Sequence, residues 1–249
     1  MKSAALPAPQ GDVKTGDDLS GLPDPVYRYV KHVLAEDQRP IDVMRMTQIG
    51  RLRTDLHRER WTKFRANHVV RPYERSFVWG AKVRILPLVH VRVRDAYADG
   101  VGSGQVQLLS AVTLASDRDK PKLNSSSLHR YLAEAVWYPT ALLPSAGVQW
   151  SPIDNRMALA ILSDLGNTVS LEFRFNDAAE IVGIYTAGRW SRTANGYELT
   201  PWEGHFSAYH RQQGVLVPSR GEVGWYANGQ LEIVWKGEIT SLEYEFELV

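Results

Sequence analysis

The chain has 249 residues, of which 44% are hydrophobic and 23% charged, a composition that excludes wholesale disorder and allows one large β domain. A formal net charge of +1 gives no bulk attraction to nucleic acid. The absence of cysteine excludes disulfides, thiolate zinc sites, iron–sulfur ligation and a cysteine nucleophile. Eight Trp and eleven Tyr suit sheet faces and pocket walls.

Residues 1–20, rich in Ala, Pro, Gly and Asp, read as a disordered leader, and 21–249 as a single domain. No stretch approaches roughly 18 uninterrupted apolar residues, and Met1–Gln10 lacks the apolar core of a signal peptide. The expectation is a cytoplasmic protein with no membrane span. Leu22-Pro-Asp-Pro-Val26 opens a helix, with Asp24 placed to cap it and Pro25 in the first turn, where a missing N–H costs nothing. Val26, Tyr29, Val30 and Val33 share one face, and the helix stops before Arg39-Pro40.

From there the hydrophobic period changes from 3.6 to 2. Phe77, Trp79, Ala81, Val83 and Ile85 alternate with more polar neighbours, and Val89, Val91 and Val93 alternate with His90, Arg92 and Arg94. Val169, Leu171, Phe173 and Phe175 repeat the pattern, as do Leu242, Tyr244, Phe246 and Leu248 against Glu243, Glu245 and Glu247. Weaker alternation covers 43–53, 60–70, 103–114, 156–163, 180–190, 204–211, 215–226 and 231–239, with turns at Asp99-Gly100, Asn195-Gly196 and Asn228-Gly229. Amid these strands the stretch 127–137 has helical spacing. Leu128, Tyr131, Leu132 and Ala135 form its apolar stripe, and Pro139 follows. These signals predict a mainly β (α+β) fold: ten or eleven strands in one large, curved antiparallel sheet or incomplete β-barrel. An N-terminal helix and one central helix, acting as lid or plug on the concave face, complete it.

A lidded, curved sheet points to a cavity, and two carboxylates are the candidates for chemistry there. Asp95 and Tyr97 continue the inward parity of Val89, Val91 and Val93. An inward carboxylate is either paired with an inward arginine or tuned for acid–base work. Glu134 lies four residues after Arg130, in reach of a helix-surface ion pair, or sits against the cavity beside Trp137 and Tyr138. Trp79, Tyr97, Trp137, Tyr138, Trp150 and Trp225 are the expected aromatic walls, with Asp154 as a further polar anchor. His205 and His210 face opposite sides of a strand, Gly100–Gly104 lacks a nucleotide-loop spacing, and no serine sits in a nucleophile elbow. No metal and no organic cofactor is therefore expected. The cationic face of His90, Arg92 and Arg94 fits an anion but is more simply the solvated side of a strand.

Arg130-Tyr-Leu-Ala-Glu-Ala-Val-Trp137 with Pro139-Thr-Ala-Leu-Leu-Pro144, the Val91–Tyr97 run, Pro201-Trp202, Gly221–Trp225 and Trp235-Lys-Gly237 together resemble a bacterial family of unknown function. The resemblance extends from Leu22 onward and implies kinship without a mechanism. The order helix–strands–helix–strands is also similar to the unclosed barrels of lipoprotein-localisation factors. The resulting expectation is a cytosolic binding protein for an apolar or amphipathic small molecule. The alternative is a cofactor-independent isomerase, cyclase, dehydratase or hydrolase with Asp95 or Glu134 as proton carrier. A module with a filled core and no cavity is the third possibility.

Overall fold

The computed structural model describes residues 19–53, 60–86, 89–108, 112–193 and 195–247. The leader expected over 1–20 lies almost wholly outside the described residues, as does Leu248. Helix α1 spans Asp24–Val33, and its buried face carries Val26, Tyr29, Val30 and Val33. Asp24 is its first helical residue and not its cap. Pro23 takes the cap position without a side-chain bond, because its fixed φ of −55° already directs the chain into the turn.

Among the described residues thirteen strands form one antiparallel sheet. They are β1 (Ile41–Leu52), β2 (Thr62–Arg71), β3 (Ser76–Leu86), β4 (Val89–Ala98), β5 (Val101–Leu108), β6 (Val112–Arg118), β7 (Val148–Pro152), β8 (Met157–Asp164), β9 (Asn167–Phe175), β10 (Ile181–Thr193), β11 (Gly196–Gln212), β12 (Val215–Ala227) and β13 (Gln230–Phe246). The order across the sheet is β6-β5-β4-β3-β2-β1-β13-β12-β11-β10-β9-β8-β7, so only the β1–β13 pairing joins the two halves of the chain. The sheet exceeds the expected ten or eleven strands for local reasons. The segment 103–114 is a hairpin of β5 and β6, and β7 is a five-residue edge strand too short to show alternation. Conversely, 231–239 and 242–246, the described strand residues of the expected 242–248, belong to one strand. Thr47 pairs with Ser241 and Gln48 with Ile239, leaving Thr240 as a bulge that moves the inward set from odd to even positions.

Helix α2 runs over Pro121–Glu134 and continues as 3₁₀ turns at Ala135–Trp137, Pro139–Leu142 and Pro144–Ala146. It starts six residues before the expected 127, because Pro121 opens the helix and its polar first turns bury Asn124, Ser126 and Ser127. Asn124 accepts a hydrogen bond from the Gly102 N–H at 2.8 Å, so β5 supplies the partner that the apolar pattern did not show. As the spacing predicts, Leu128, Tyr131, Leu132 and Ala135 are buried. Burying each large apolar side chain contributes roughly 1.5–3 kcal/mol.

Helix α2 packs on β4 and β5 from one flank of the sheet and on β9 and β10 from the other. One helix can touch both flanks only if the sheet curls around it. The flanks also meet through side chains. Tyr97 of β4 donates to Asp164 of β8 at 2.8 Å, and Arg75 pairs with the same carboxylate at 3.2 Å. Tyr197 donates to Asp117 of β6 at 3.2 Å, beside Arg192 at 3.0 Å. Among the described residues no ladder joins β6 to β7, so the barrel they form stays incomplete. The face carrying α2 is called the inner face below, and the opposite side the open face.

Candidate functional site

On the inner face, Arg130 organises the two candidate carboxylates. Its Nη1 donates to Asp95 Oδ2 at 2.9 Å, and its Nε donates to Glu134 Oε1 at 2.8 Å. The guanidinium lies over Trp79 at 5.0 Å and Phe77 at 5.3 Å from the ring centres, a desolvated cation–π setting. Asp95 thus follows the inward parity expected of it and meets an inward arginine. Its side chain keeps 40% exposure. Desolvation by the packed helix raises its carboxyl above the ordinary range, and the Arg130 charge opposes the rise.

Glu134 turns its other oxygen toward His68, with Oε2 and Nε2 3.4 Å apart. Neither His68 nitrogen nor this oxygen makes a well-formed hydrogen bond among the described residues. Burial pushes the His68 imidazole down to about 4, against the opposing pull of Glu134, so it is neutral at neutral pH. Trp79 donates to Gln48 at 3.1 Å. Across the barrel, Arg189 donates to the Ser126 carbonyl at 3.2 Å and lies 4.2 Å over Trp202 and 5.3 Å from the Trp225 ring centre. Burial and the charge of Arg130 push its guanidinium down to about 9. Trp79, Asp95, Glu134 and Trp225 therefore converge on a pair of arginines, which tie α2 to both flanks.

The other candidates serve the packing of the segment after α2. Backbone bonds close its successive 3₁₀ turns, and side chains take up carbonyls left open in the segment and in its neighbours α2 and β12. Tyr138 donates to the Tyr131 carbonyl at 2.6 Å, Trp137 to Pro218 at 3.0 Å, Trp150 to Leu142 at 2.9 Å and Tyr244 to Trp137 at 2.7 Å. Thr140 accepts from the Ile41 N–H at 3.1 Å. Trp137 and Tyr138 are consequently core residues beneath the helix, and Trp150 is partly buried against Phe173. Tyr97 is fully buried and engaged with Asp164. Asp154 is exposed and accepts from the Arg156 N–H at 2.7 Å, closing a turn.

A cleft of about 1190 Å³ opens on the other side of the sheet. Its lining comes from β4, β3, β2, β1, β13, β12 and β11, seven neighbouring strands, so the sheet bends around it. The bend runs through Gly50, Gly237 and Gly221, which stand opposite one another on adjacent strands. On the inner side the Phe64 ring would lie 2.7 Å from a Cβ at Gly50, and the Trp235 ring 2.3 Å from one at Gly237. These glycines let the two stacked rings lie against the backbone.

The cleft is cationic. Arg51, Lys63, Arg65, Lys82, Arg84, Arg220 and Lys236 line it, with Glu222 and Glu238 as its carboxylates. Those carboxylates belong to β12 and β13 and are engaged locally, Glu222 with Lys236 at 2.9 Å and Glu238 with Arg220 at 3.8 Å. Among the described residues no carboxylate pairs with Arg51, Lys63, Arg65, Lys82 or Arg84. The apolar part of the lining is Ile49, Val89, Phe64, Phe206 and the methylene stems of the basic side chains. A second hollow of about 670 Å³ on the same face shares Ile49, Arg65 and Lys82 and adds Arg92 and Arg94. Desolvation and the charges of Lys82 and Arg92 lower the nearby His90 imidazole.

Sequence reasoning placed Asp95, Glu134 and Trp79 together but missed His68, Arg189 and the cleft. The signal for His68 was its inward parity with Phe64 and Ala66 on β2. The signal for the cleft was that the outward residues of β2, β3 and β4 are cations in register: Arg65 opposes Lys82, and Lys82 opposes Arg92.

The fold and site define a mainly β half-barrel, plugged by one helix on its inner face and bearing a cationic cleft on its open face. The chain belongs to a family of unknown function, DUF6920, whose model matches residues 20–244. Among solved structures it is similar to a LolA superfamily protein from Nitrosomonas europaea. That likeness has a TM-score of 0.49 and 9% identity, over 90% of this chain and 93% of that one. It is also similar to a β-barrel-like protein of the DUF1849 family from Brucella abortus, with a TM-score of 0.24 and 10% identity over 83% of this chain and 99% of that one. Neither likeness is close enough to carry over a function or a site residue. No curated protein sequence matches the chain.

Proposed function

We propose that the protein is a cytosolic binding protein for a small amphipathic anion, seated in the open-face cleft. One observation carries this reading: a cleft of about 1190 Å³ whose β1–β3 wall presents Arg51, Lys63, Arg65, Lys82 and Arg84 with no carboxylate partner among the described residues. Cations held this close repel one another, and an anion relieves the repulsion while accepting charge-assisted hydrogen bonds. Ile49, Val89 and the basic stems offer the apolar part of the ligand a surface. The cytosolic element of the proposal rests on composition, since a chain without cysteine suits a reducing compartment. On the inner face, Asp95 and Glu134 each commit an oxygen to Arg130, so the proposal includes no reaction.

Native mass spectrometry of freshly purified protein, followed by extraction, tests the proposal. The expected result is a co-purifying anionic amphiphile that is lost from the double variant Arg51→Glu, Lys63→Glu. Both positions are exposed, so the melting temperature of that variant should change little, corresponding to about 0.5 kcal/mol or less. A bound ligand without negative charge, or one retained by the double variant, would sink the proposal.

A further inference from the structure

Beside the cleft, and sharing Ile49, Arg65 and Lys82 with it, the open face of β2–β5 continues as a surface with its own chemistry. Arg65, Lys82, Arg92 and Arg94 stand side by side on it, and among the described residues none of them pairs with a carboxylate. Neighbouring strands lie about 4.8 Å apart, so these charges sit well within one another's screening length of about 8 Å. Solvation alone does not call for a single sign. The same molecule wets the end of β13 with Glu243 and Glu245, and its whole net charge is only +1. The positive charge is therefore segregated onto this face.

Apolar side chains break the charged surface in a regular way. Ile49 and Val78 are each 40% exposed among these cations, and Val69 is 37% exposed beside them. Branched aliphatic groups set in a cationic field match a surface with phosphate outside and hydrocarbon beneath. Nucleic acid is a poorer match, because single strands are held by stacking on aromatic side chains. The outward positions Lys63, Arg65, Asn67 and Val69 of β2, and Val78, Gly80, Lys82 and Arg84 of β3, include no aromatic residue, nor do Arg92 and Arg94 of β4. No helix among the described residues is long and apolar enough to cross a membrane, so attachment would be peripheral.

We propose that the open face of β2–β5 docks on an anionic phospholipid surface, with Arg92 and Arg94 meeting the headgroups and Val78 and Ile49 entering the interface. The proposal does not depend on the cleft holding a ligand. Arg92 and Arg94 line only the second hollow, so they separate the two readings.

The test is co-sedimentation of the full chain with vesicles of phosphatidylcholine alone and of equal phosphatidylcholine and phosphatidylglycerol. Binding is expected only to the anionic vesicles and should weaken as salt is raised. Each basic residue near an anionic leaflet contributes about fivefold to partitioning, so Arg92→Ala with Arg94→Ala should lower it about 25-fold. Both side chains are exposed, and the double variant should keep its fold and any ligand that co-purifies with the parent protein. Equal binding to neutral and anionic vesicles would overturn the proposal, as would anionic binding unchanged in the double variant. Tighter binding to a single-stranded oligonucleotide than to anionic vesicles would do so too, and would assign the face to nucleic acid.

Discussion

The two faces of this sheet are made by the same strands, yet they treat charge in opposite ways. Along β2, Phe64, Ala66, His68 and Val70 are buried, while Lys63, Arg65, Asn67 and Val69 are exposed. On the inner face Arg130 binds Asp95 and Glu134 at once and rests on Trp79, so its charge is matched within a few ångströms. On the open face Arg51, Lys63, Arg65 and Lys82 have no such match among the described residues. A guanidinium under a helix must be stabilised by the fold, because burial of a lone charge is costly. Two carboxylates do this at Arg130, and the Ser126 carbonyl with the Trp202 and Trp225 rings does it at Arg189. A guanidinium facing water carries no such demand and stays available to a partner. The lesson is that Asp95 and Glu134 are engaged by the fold, whereas the open-face cations of β1–β3 have no carboxylate partner among the described residues.

The sharpest way to break this contrast is to remove the inner cation. Arg130→Ala removes the counter-charge hydrogen-bonded to Asp95 and Glu134 and leaves only the more distant Arg189, and should destabilise the protein by about 3–5 kcal/mol in urea titration. A loss near that of an exposed arginine would show that the inner network does not hold the fold.

Acid should find the inner face next. Burial holds His68 and His129 at about 4, against an ordinary value of 6.5. Below 6.5 the unfolded chain therefore takes up protons that the folded chain refuses. The stability is intact above that pH and is lost as the pH falls from 6.5 toward 4. Each histidine should cost about 2.5 kcal/mol by pH 4.5, and His68→Gln should remove its share of the slope when unfolding is measured across this range. An acid limb identical in the variant would mean that His68 is not held neutral.

A smaller effect should follow from the carbonyls after α2. Tyr244→Phe deletes the donor to the buried Trp137 carbonyl, at an expected cost of about 1–3 kcal/mol in the same assay. Tyr226 donates instead to a carboxylate, Glu203, at a half-buried site. Its Phe variant should lose less, and the reverse order would refute the role given to the segment after the helix.

The smallest expected change is that of Asp95→Asn. Its side chain is 40% exposed, so the pair with Arg130 is screened, and the loss should be about 1 kcal/mol or less by thermal melting. A loss as large as that from Arg130→Ala would place Asp95, and not Glu134, at the centre of the triad.

Much of this molecule is legible one strand at a time. Strict alternation over 77–83, 91–93 and 169–175 specified strands whose inward sets are those observed, because a period of two leaves no choice of face. The register shift between Arg84 and Leu86 instead leaves Ile85 41% exposed and puts Val89 in the lining of the open-face cleft. Asp95 could be assigned inward from Val91 and Val93 alone, and the stripe Leu128, Tyr131, Leu132 and Ala135 marked the buried side of α2. Alternation is silent where the backbone slips. The Thr240 bulge divided β13 into two apparent strands, and β7 is too short to register.

What a sequence cannot supply is which strands become neighbours. Trp137, Tyr138 and Trp150 look like pocket walls in the chain, and only the folded structure shows their polar atoms spent on carbonyls of residues 131–142 and Pro218. The open face is the same case on a larger scale. Each of β1 to β4 reads alone as a strand with a solvated, basic side. The sheet order and register set Ile49, Arg65, Lys82 and Arg92 opposite one another across four strands. Side-chain parity is a property of the local backbone and is written in the sequence. The accumulation of charge across strands is a property of pairing between distant segments, and only the tertiary structure decides it.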